Sequence, residues 1–202
     1  MFNDKFLLTQ AVLEGRKTQT RRIVSQSLID KYEEWYDDVC SIAMPPGSTI
    51  ETLRDWLLRK HTRYRVGEVV AVAQSYRDCG GFSEFGKSRW EIIAASVGAT
   101  NGGWNNKMFV RASFMPHQIR ITNVRIQRLQ DISDEDCLKE GIIKGRCGSE
   151  DTHFMDAYYC PTDSQPYCEP REAFAHLINK VSRKDVWSEN PYVFVYDFEL
   201  VK

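Results

Sequence analysis

Ile119-Arg120-Ile121-Thr122-Asn123-Val124-Arg125-Ile126 alternates apolar and polar residues and then slips: Ile119 and Ile121 keep one phase, Val124 and Ile126 the next. Period-two alternation marks a strand with one buried face. A slip of one residue inside it predicts a β-bulge at Thr122-Asn123 and a long bent strand. Bends of this kind let small barrels turn their corners.

Upstream, Gly67 introduces Glu68 to Tyr76, where Val69-Val70-Ala71-Val72-Ala73 reads as a strand buried on both faces. At the start of the chain, Asn3 or Asp4 caps a helix that buries Phe6, Leu7, Leu8, Ala11 and Val12, and Gly15 ends it. Between them, residues 25–65 are polar and aromatic, broken at Pro45-Pro46-Gly47. One helix is predicted there, from Thr49 to Lys60, with Ile50, Leu53, Trp56 and Leu57 at helical spacing.

Downstream, Ile132-Ser133-Asp134-Glu135-Asp136-Cys137 is a helix start. Ser133 is its cap, acidic residues fill the first turn, and Ile132 and Cys137 form a hydrophobic staple. Gly141 ends this helix. Residues 143–168 read as loop, Arg171 to Val181 as an amphipathic helix, and Tyr192 to Leu200 as a half-exposed strand. Short strands interleaved with helices, without a βαβ rhythm, predict an α+β domain over 1–202 with a small mixed β-barrel, surrounding helices and inserted loops.

The 202 residues are 42% hydrophobic and 12% aromatic, enough for a genuine core. The net charge of -1 means that a polyanion must be met by a local basic patch, not by the overall field. No run approaches the roughly 18 apolar residues of a membrane span, and Met1-Phe2-Asn3-Asp4 has no basic stretch ahead of an apolar one. No membrane partner and a cytoplasmic location are expected. The six cysteines form no Cys-x-x-Cys pair, which suits reduced thiols. Cys147, His153, Cys160 and Cys168 share one irregular stretch but lack the short knuckle of a structural zinc site, so no metal and no cofactor are expected.

Chemistry concentrates in Gly15-Arg16-Lys17-Thr18-Gln19-Thr20-Arg21-Arg22. Arg16, Lys17, Arg21 and Arg22 alternate with hydroxyl and amide side chains, which suits phosphate oxygens. A solvated basic turn at a helix C-terminus would have the same composition. Glu140 stands at the last helical position before Gly141, where a carboxylate meets the negative end of the helix dipole. An exposed Glu tolerates this. A Glu buried near a cation at this position would instead make a useful acid or base. Tyr76, Phe109, Phe114, Trp187 and Tyr192 fall near predicted strand ends, where a base could stack or where aromatics simply fill the core.

Taken together, Val12 to Arg22, the strand after Gly67-Glu68 and Leu129 to Ile142 resemble the ASCH family of PUA-like domains. The Trp187-Ser188-Glu189-Asn190-Pro191 loop is similar to that of longer bacterial and phage members. The stretches at about 25–65, 80–107 and 143–168 stand as insertions. The resemblance implies a PUA-like barrel whose cleft binds RNA or a modified nucleoside or nucleotide, with Arg16, Arg21, Arg22, Tyr76, Arg111 and Trp187 as ligand-binding residues. Small family members that hydrolyse acetylated cytidine are similar at Lys17, Thr20 and Glu140. That likeness implies a base, a nucleophile and a group serving the leaving amine or water. A protein-interaction domain that keeps only the fold is the third reading.

Overall fold

The computed structural model describes residues 2–41, 49–75, 78–79, 106–149 and 152–201. The fold is α+β. In chain order come a 3-10 turn at Asp4–Phe6, α1 (Leu8–Leu13), β1 (Gln19–Ile23), α2 (Gln26–Cys40), α3 (Leu53–Lys60) and β2 (Val69–Ala71). They are followed by β3 (Gln118–Arg128), α4 (Asp134–Lys139), β4 (Ile143–Ser149), β5 (Thr152–Tyr159), α5 (Pro170–Ser182), α6 (Val186–Glu189) and β6 (Tyr192–Val201). Four strands make one sheet in the order β1-β6-β3-β2, with every pairing antiparallel. No described helix is long and apolar enough to cross a membrane.

The bulge lies where the phase slip places it. The β3–β6 register shifts between Ile121 and Asn123, so Ile121 opposes Phe198 and Asn123 opposes Asp197. Ile119, Ile121 and Ile126 are all buried as a result, while Asn123, Arg125 and Gln127 share the other face. β6 is one of the two interior strands, not a half-exposed one. Val193, Phe194, Val195 and Tyr196 are consecutive and all at most 5% exposed, which requires cover on both faces. β2 departs from expectation in the opposite direction: it is a three-residue edge strand paired only with β3, and Val69 is 46% exposed.

Residues 25–65 hold two helices where one was expected. α3 starts at Leu53 behind Thr52, whose hydroxyl accepts from Asp55 N at 3.2 Å, and it buries Trp56 and Leu57. α2 has no fully buried residue and leans Tyr32 and Trp35 against Trp56. Leu28, Ile29, Tyr32 and Trp35 form its apolar stripe, at a helical spacing that was present in the sequence, and pack partly buried against the core. The stretch 143–168, read as loop, contains the β4–β5 hairpin, with Ile143 opposite Tyr159 and Cys147 opposite Met155. Gly148 permits the close crossing near its end: a Cβ there would meet His153 O at 2.9 Å. Most of the 80–107 insertion and the Pro45-Pro46-Gly47 break lie outside the described residues.

Candidate active-site pocket

α1 ends in Glu14 and Gly15, with Gly15 at φ +73, and the chain doubles back so that Lys17 N donates to Ala11 O at 2.9 Å. The next residue is held at both ends. Thr18 N donates to Lys139 O at 3.0 Å, and Thr18 O accepts from Phe198 N at 2.8 Å. These bonds fasten the basic segment to the C-terminal end of α4 and to β6. α4 is started by Ser133, whose hydroxyl accepts from Asp136 N at 3.2 Å, and is ended by Gly141 at φ +109. A Cβ on Gly141 would lie 3.6 Å from Leu8 and 3.9 Å from Lys17, so the turn that ends α4 sits directly on the Lys17 side chain.

Lys17 is therefore buried, with its Nζ 2.5 Å from Glu140 Oε2 and 2.8 Å from the Glu140 carbonyl oxygen. Arg21, equally buried, donates from Nη1 to Glu140 Oε1 at 2.9 Å. This resolves the dipole conflict noted at Glu140. The C-terminal end of a helix carries roughly half a negative charge, whereas two full cations hold the carboxylate.

The pair belongs to a larger network. Arg21 Nη2 reaches Asp136 Oδ2 at 3.1 Å, and Arg125 Nη2 reaches the same oxygen at 2.6 Å. Arg125 also donates to Asp197, which accepts from Asn123 at 3.1 Å and from Gln19 Nε2 at 2.6 Å. Gln19, wholly buried, also donates to Asp136 at 3.1 Å and accepts from Arg21. Lys17, Arg21 and Arg125 thus balance Glu140, Asp136 and Asp197. A balanced, hydrogen-bonded set can offset the desolvation that a lone buried charge could not.

The environment tunes two of these groups. Burial pushes the Lys17 ammonium below the usual lysine range; the Glu140 charge and hydrogen bond oppose this, and Arg22 and Arg21 add to it. For Asp136, burial raises the pKa, but the Gln19 hydrogen bond and the charges of Arg125 and Arg21 outweigh it and hold the carboxyl below the ordinary aspartate value.

Lys17, Thr20, Arg21 and Glu140 line a pocket of about 90 Å³. Phe174, Leu177, Ile178 and Val181 of α5, spaced i, i+3, i+4, i+7, line it too, with the Arg21 guanidinium 5.7 Å from the Phe174 ring. Thr20 is 8% exposed, and its hydroxyl makes no hydrogen bond among the described residues. Lys17, Thr20 and Glu140 thus line one pocket, with Lys17 and Glu140 in direct contact and the Thr20 hydroxyl bonded to neither. Arg22 is exposed and borders the pocket, with Nη1 donating to Arg21 O at 3.2 Å.

The other residues singled out in the sequence are not gathered here. Arg16 is exposed and paired with Glu14, its Nε 2.7 Å from Oε2. Arg111 is exposed ahead of a 3-10 turn at Ala112–Phe114 and does not line this pocket. Trp187 is half-buried, packs edge-on against Phe174 at 6.2 Å and lines a separate surface depression with Tyr167 and Arg171. Tyr76 lies outside the described residues. Among those residues, no group of three or more His, Cys, Asp or Glu side chains is placed to hold a metal ion.

Sequence reasoning missed Asp136, Arg125, Asp197 and Gln19, as well as the apolar wall of α5. The available signal was charge inside apolar strands: Arg125 between Val124 and Ile126, and Asp197 between Tyr196 and Phe198. Asp136 was hidden by its second role in the acidic first turn of a helix. No protein-family model, curated protein or solved structure matches the chain. The chemistry of the site therefore stands on its own geometry.

Proposed function

We propose that this protein is an amide hydrolase acting on an acylated nucleobase of the cytidine type, built on a PUA-like domain of the ASCH kind. The observation that carries this reading is the contact between buried Lys17 and Glu140 beside Thr20, in one pocket. A lysine whose pKa burial lowers is a better base than a free one, and the Thr20 hydroxyl that lines the same pocket is the nucleophile it would serve. Two of the three ammonium directions of Lys17 are taken by Glu140, which leaves the third for the pocket.

In the reaction, Thr20 Oγ1 adds to the acyl carbonyl carbon while its proton passes to the neutral Lys17 Nζ. The carbon–nitrogen bond then breaks, and the exocyclic nitrogen leaves with that proton as the free amine. The acyl group remains as an ester on Thr20. Water attacks the ester, its proton again taken by Lys17; the carboxylic acid departs and Thr20 regains its proton. Glu140, bonded to both Lys17 and Arg21, orients Lys17 and stabilises the protonated form it passes through within each half-reaction.

Three of the four cations of the basic segment pair with carboxylates of the chain itself, Lys17 and Arg21 with Glu140 and Arg16 with Glu14, which favours a pocket for one nucleoside over a clamp for a phosphate chain. RNA carrying the modified nucleoside is the second reading, favoured by exposed Arg22 at the pocket rim. Incubation with N4-acylcytidines, free and within a short RNA, followed by chromatography tests both. Hydrolysis lost in Thr20→Val supports the mechanism; undiminished hydrolysis by Thr20→Val overturns it. Equal rates with free nucleoside and RNA argue for the nucleoside as substrate.

A further inference from the structure

Resting on the amide-hydrolase reading, we infer that Asp136 is a positioning residue for that reaction: acting through Arg21, it sets how firmly Glu140 holds the Lys17 ammonium. Asp136 does not itself line the pocket. It stands one turn before Glu140 at the end of α4, where Glu140 N donates to Asp136 O at 2.9 Å, so the two carboxylates share a side of the helix. Arg21 bridges them. Its Nη1 donates to Glu140 Oε1 at 2.9 Å and its Nη2 to Asp136 Oδ2 at 3.1 Å, while its Nε finds no partner among the described residues. Gln19 accepts from the same Nη1. A guanidinium is a rigid planar fork, so the anion on one prong aims the other. Asp136 thereby aims Nη1 at Glu140, and Glu140, with Oε1 held by Arg21, presents Oε2 to Lys17 at 2.5 Å.

Charge makes the same link. Lys17 is faced by Glu140 from the end of α4 and by Arg21 and Arg22 from β1, while the α5 side chains that share its pocket are apolar. Asp136 is faced by Arg21 from β1, by Arg125 from β3 and, at 3.8 Å, by Lys139 of its own helix, which pairs more closely with Glu135 at 2.7 Å. Lys17, Arg21 and Arg125 are balanced against Glu140, Asp136 and Asp197. Without the Asp136 charge one cation is in excess, Arg21 draws harder on Glu140, and Lys17 gives up its proton more readily. Without the Arg125 charge the reverse holds: Asp136 turns its whole field on Arg21, Glu140 is left to Lys17, and the ammonium keeps its proton longer. A residue that only fastened α4 to the sheet would have neither effect.

The test follows the titration of Lys17 in the full chain and in Asp136→Asn, Arg125→Gln and the double variant. Carbon NMR of isotope-labelled lysine, with the Lys17 signal assigned by its loss in Lys17→Met, reads the ammonium without any substrate. The ascending limb of kcat/KM for N4-acetylcytidine reads it in the reaction. An opposite charge beside a group moves its titration by about 1–3 pH units, and one acting through an intervening side chain belongs at the low end. Asp136→Asn is therefore expected to lower the Lys17 midpoint by about one pH unit. Arg125→Gln is expected to raise it by a similar amount, and the double variant to bring it back near wild type. A common loss of folding cannot imitate opposite directions, and if Asp136→Asn fails to fold, Arg125→Gln and the double variant keep the test. Midpoints unmoved in the NMR titration overturn the positioning role whatever the rates. Midpoints that move as expected in a chain that hydrolyses no acylcytidine uphold the link from Asp136 to Lys17 and overturn the hydrolase reading.

Discussion

Lys17 and Glu140 lie 123 positions apart in the chain, yet the lysine ammonium meets that one residue twice, at its carboxylate at 2.5 Å and at its main-chain carbonyl at 2.8 Å. The double contact ties the turn after α1 to the end of α4. It also sets one ionisable group against another in a place that water barely reaches, and both stability and activity should answer to it.

Replacing Glu140 with Ala leaves Lys17 and Arg21 buried without their shared anion. A loss of about 3–5 kcal/mol is expected, the usual cost of breaking a buried ion pair by removing one partner. Glu140→Gln keeps an acceptor for one cation and should lose less. Urea denaturation at neutral pH measures both, and an unchanged midpoint for Glu140→Ala would show that the pair carries no such weight.

Activity should rise with pH as Lys17 loses its proton. Its folded-state pKa is depressed below the ordinary lysine value of about 10.4. Between the two values the unfolded chain binds more protons than the folded one, so stability also rises with pH across that window. A kcat/KM profile with an ascending limb below pH 10, absent in Lys17→Met, is the expected outcome.

Asp136 carries the opposite sign. Its folded pKa lies below the unfolded value of about 3.9, so its contribution is present above that pH and is lost as pH falls through the folded value. Asp136→Asn should be less stable than wild type at pH 7 and should show a flatter acid limb below pH about 4. Thermal melts at pH values from 2 to 7 separate the two curves.

Gly141→Ala should cost about 1–3 kcal/mol, because φ +109 is a region that L side chains rarely adopt. The space itself is adequate, with Leu8 at 3.6 Å, so the effect comes from backbone strain and not from a clash. As Gly141 adjoins Glu140, the same variant should lower kcat, which places the strain and the catalytic loss in one experiment.

Thiol reactivity should divide the cysteines. Burial pushes Cys137 up to about 12 and Cys160 up to about 11, so neither forms thiolate in the folded chain at pH 8. Exposed Cys40 and Cys168 should react with a disulfide reagent at once, and Cys137 and Cys160 only after unfolding. Mass spectrometry of the labelled peptides checks the order.

What was legible in the sequence was local. The phase slip in Ile119 to Ile126 located the bulge, Ser133 and Gly141 bounded α4, and the spacing of Phe174, Leu177 and Ile178 marked α5. What was not legible depended on neighbours. α2 packs Leu28, Ile29, Tyr32 and Trp35 only partly buried against the core, and the β4–β5 hairpin lies in a stretch whose Gly145, Gly148 and interspersed charges interrupt a clean period-two pattern. The apolar run from Val69 ended on an edge because only pairing decides which strand is central.

By itself the sequence determined which residues carry charge and hydroxyl groups and, at Ser133 and Gly141, where a helix starts and stops; elsewhere it did not, since α1 begins at Leu8 with Leu7 exposed rather than behind Asn3 or Asp4. The family resemblance grouped Lys17, Thr20 and Glu140 without telling whether they meet. Only the tertiary structure decided that Lys17 and Arg21 turn inward while Arg16 turns out to Glu14, and that Arg125 and Asp197 complete the network. The reason is physical: a cation is buried only where the fold delivers an anion to it, and that anion comes from a distant part of the chain.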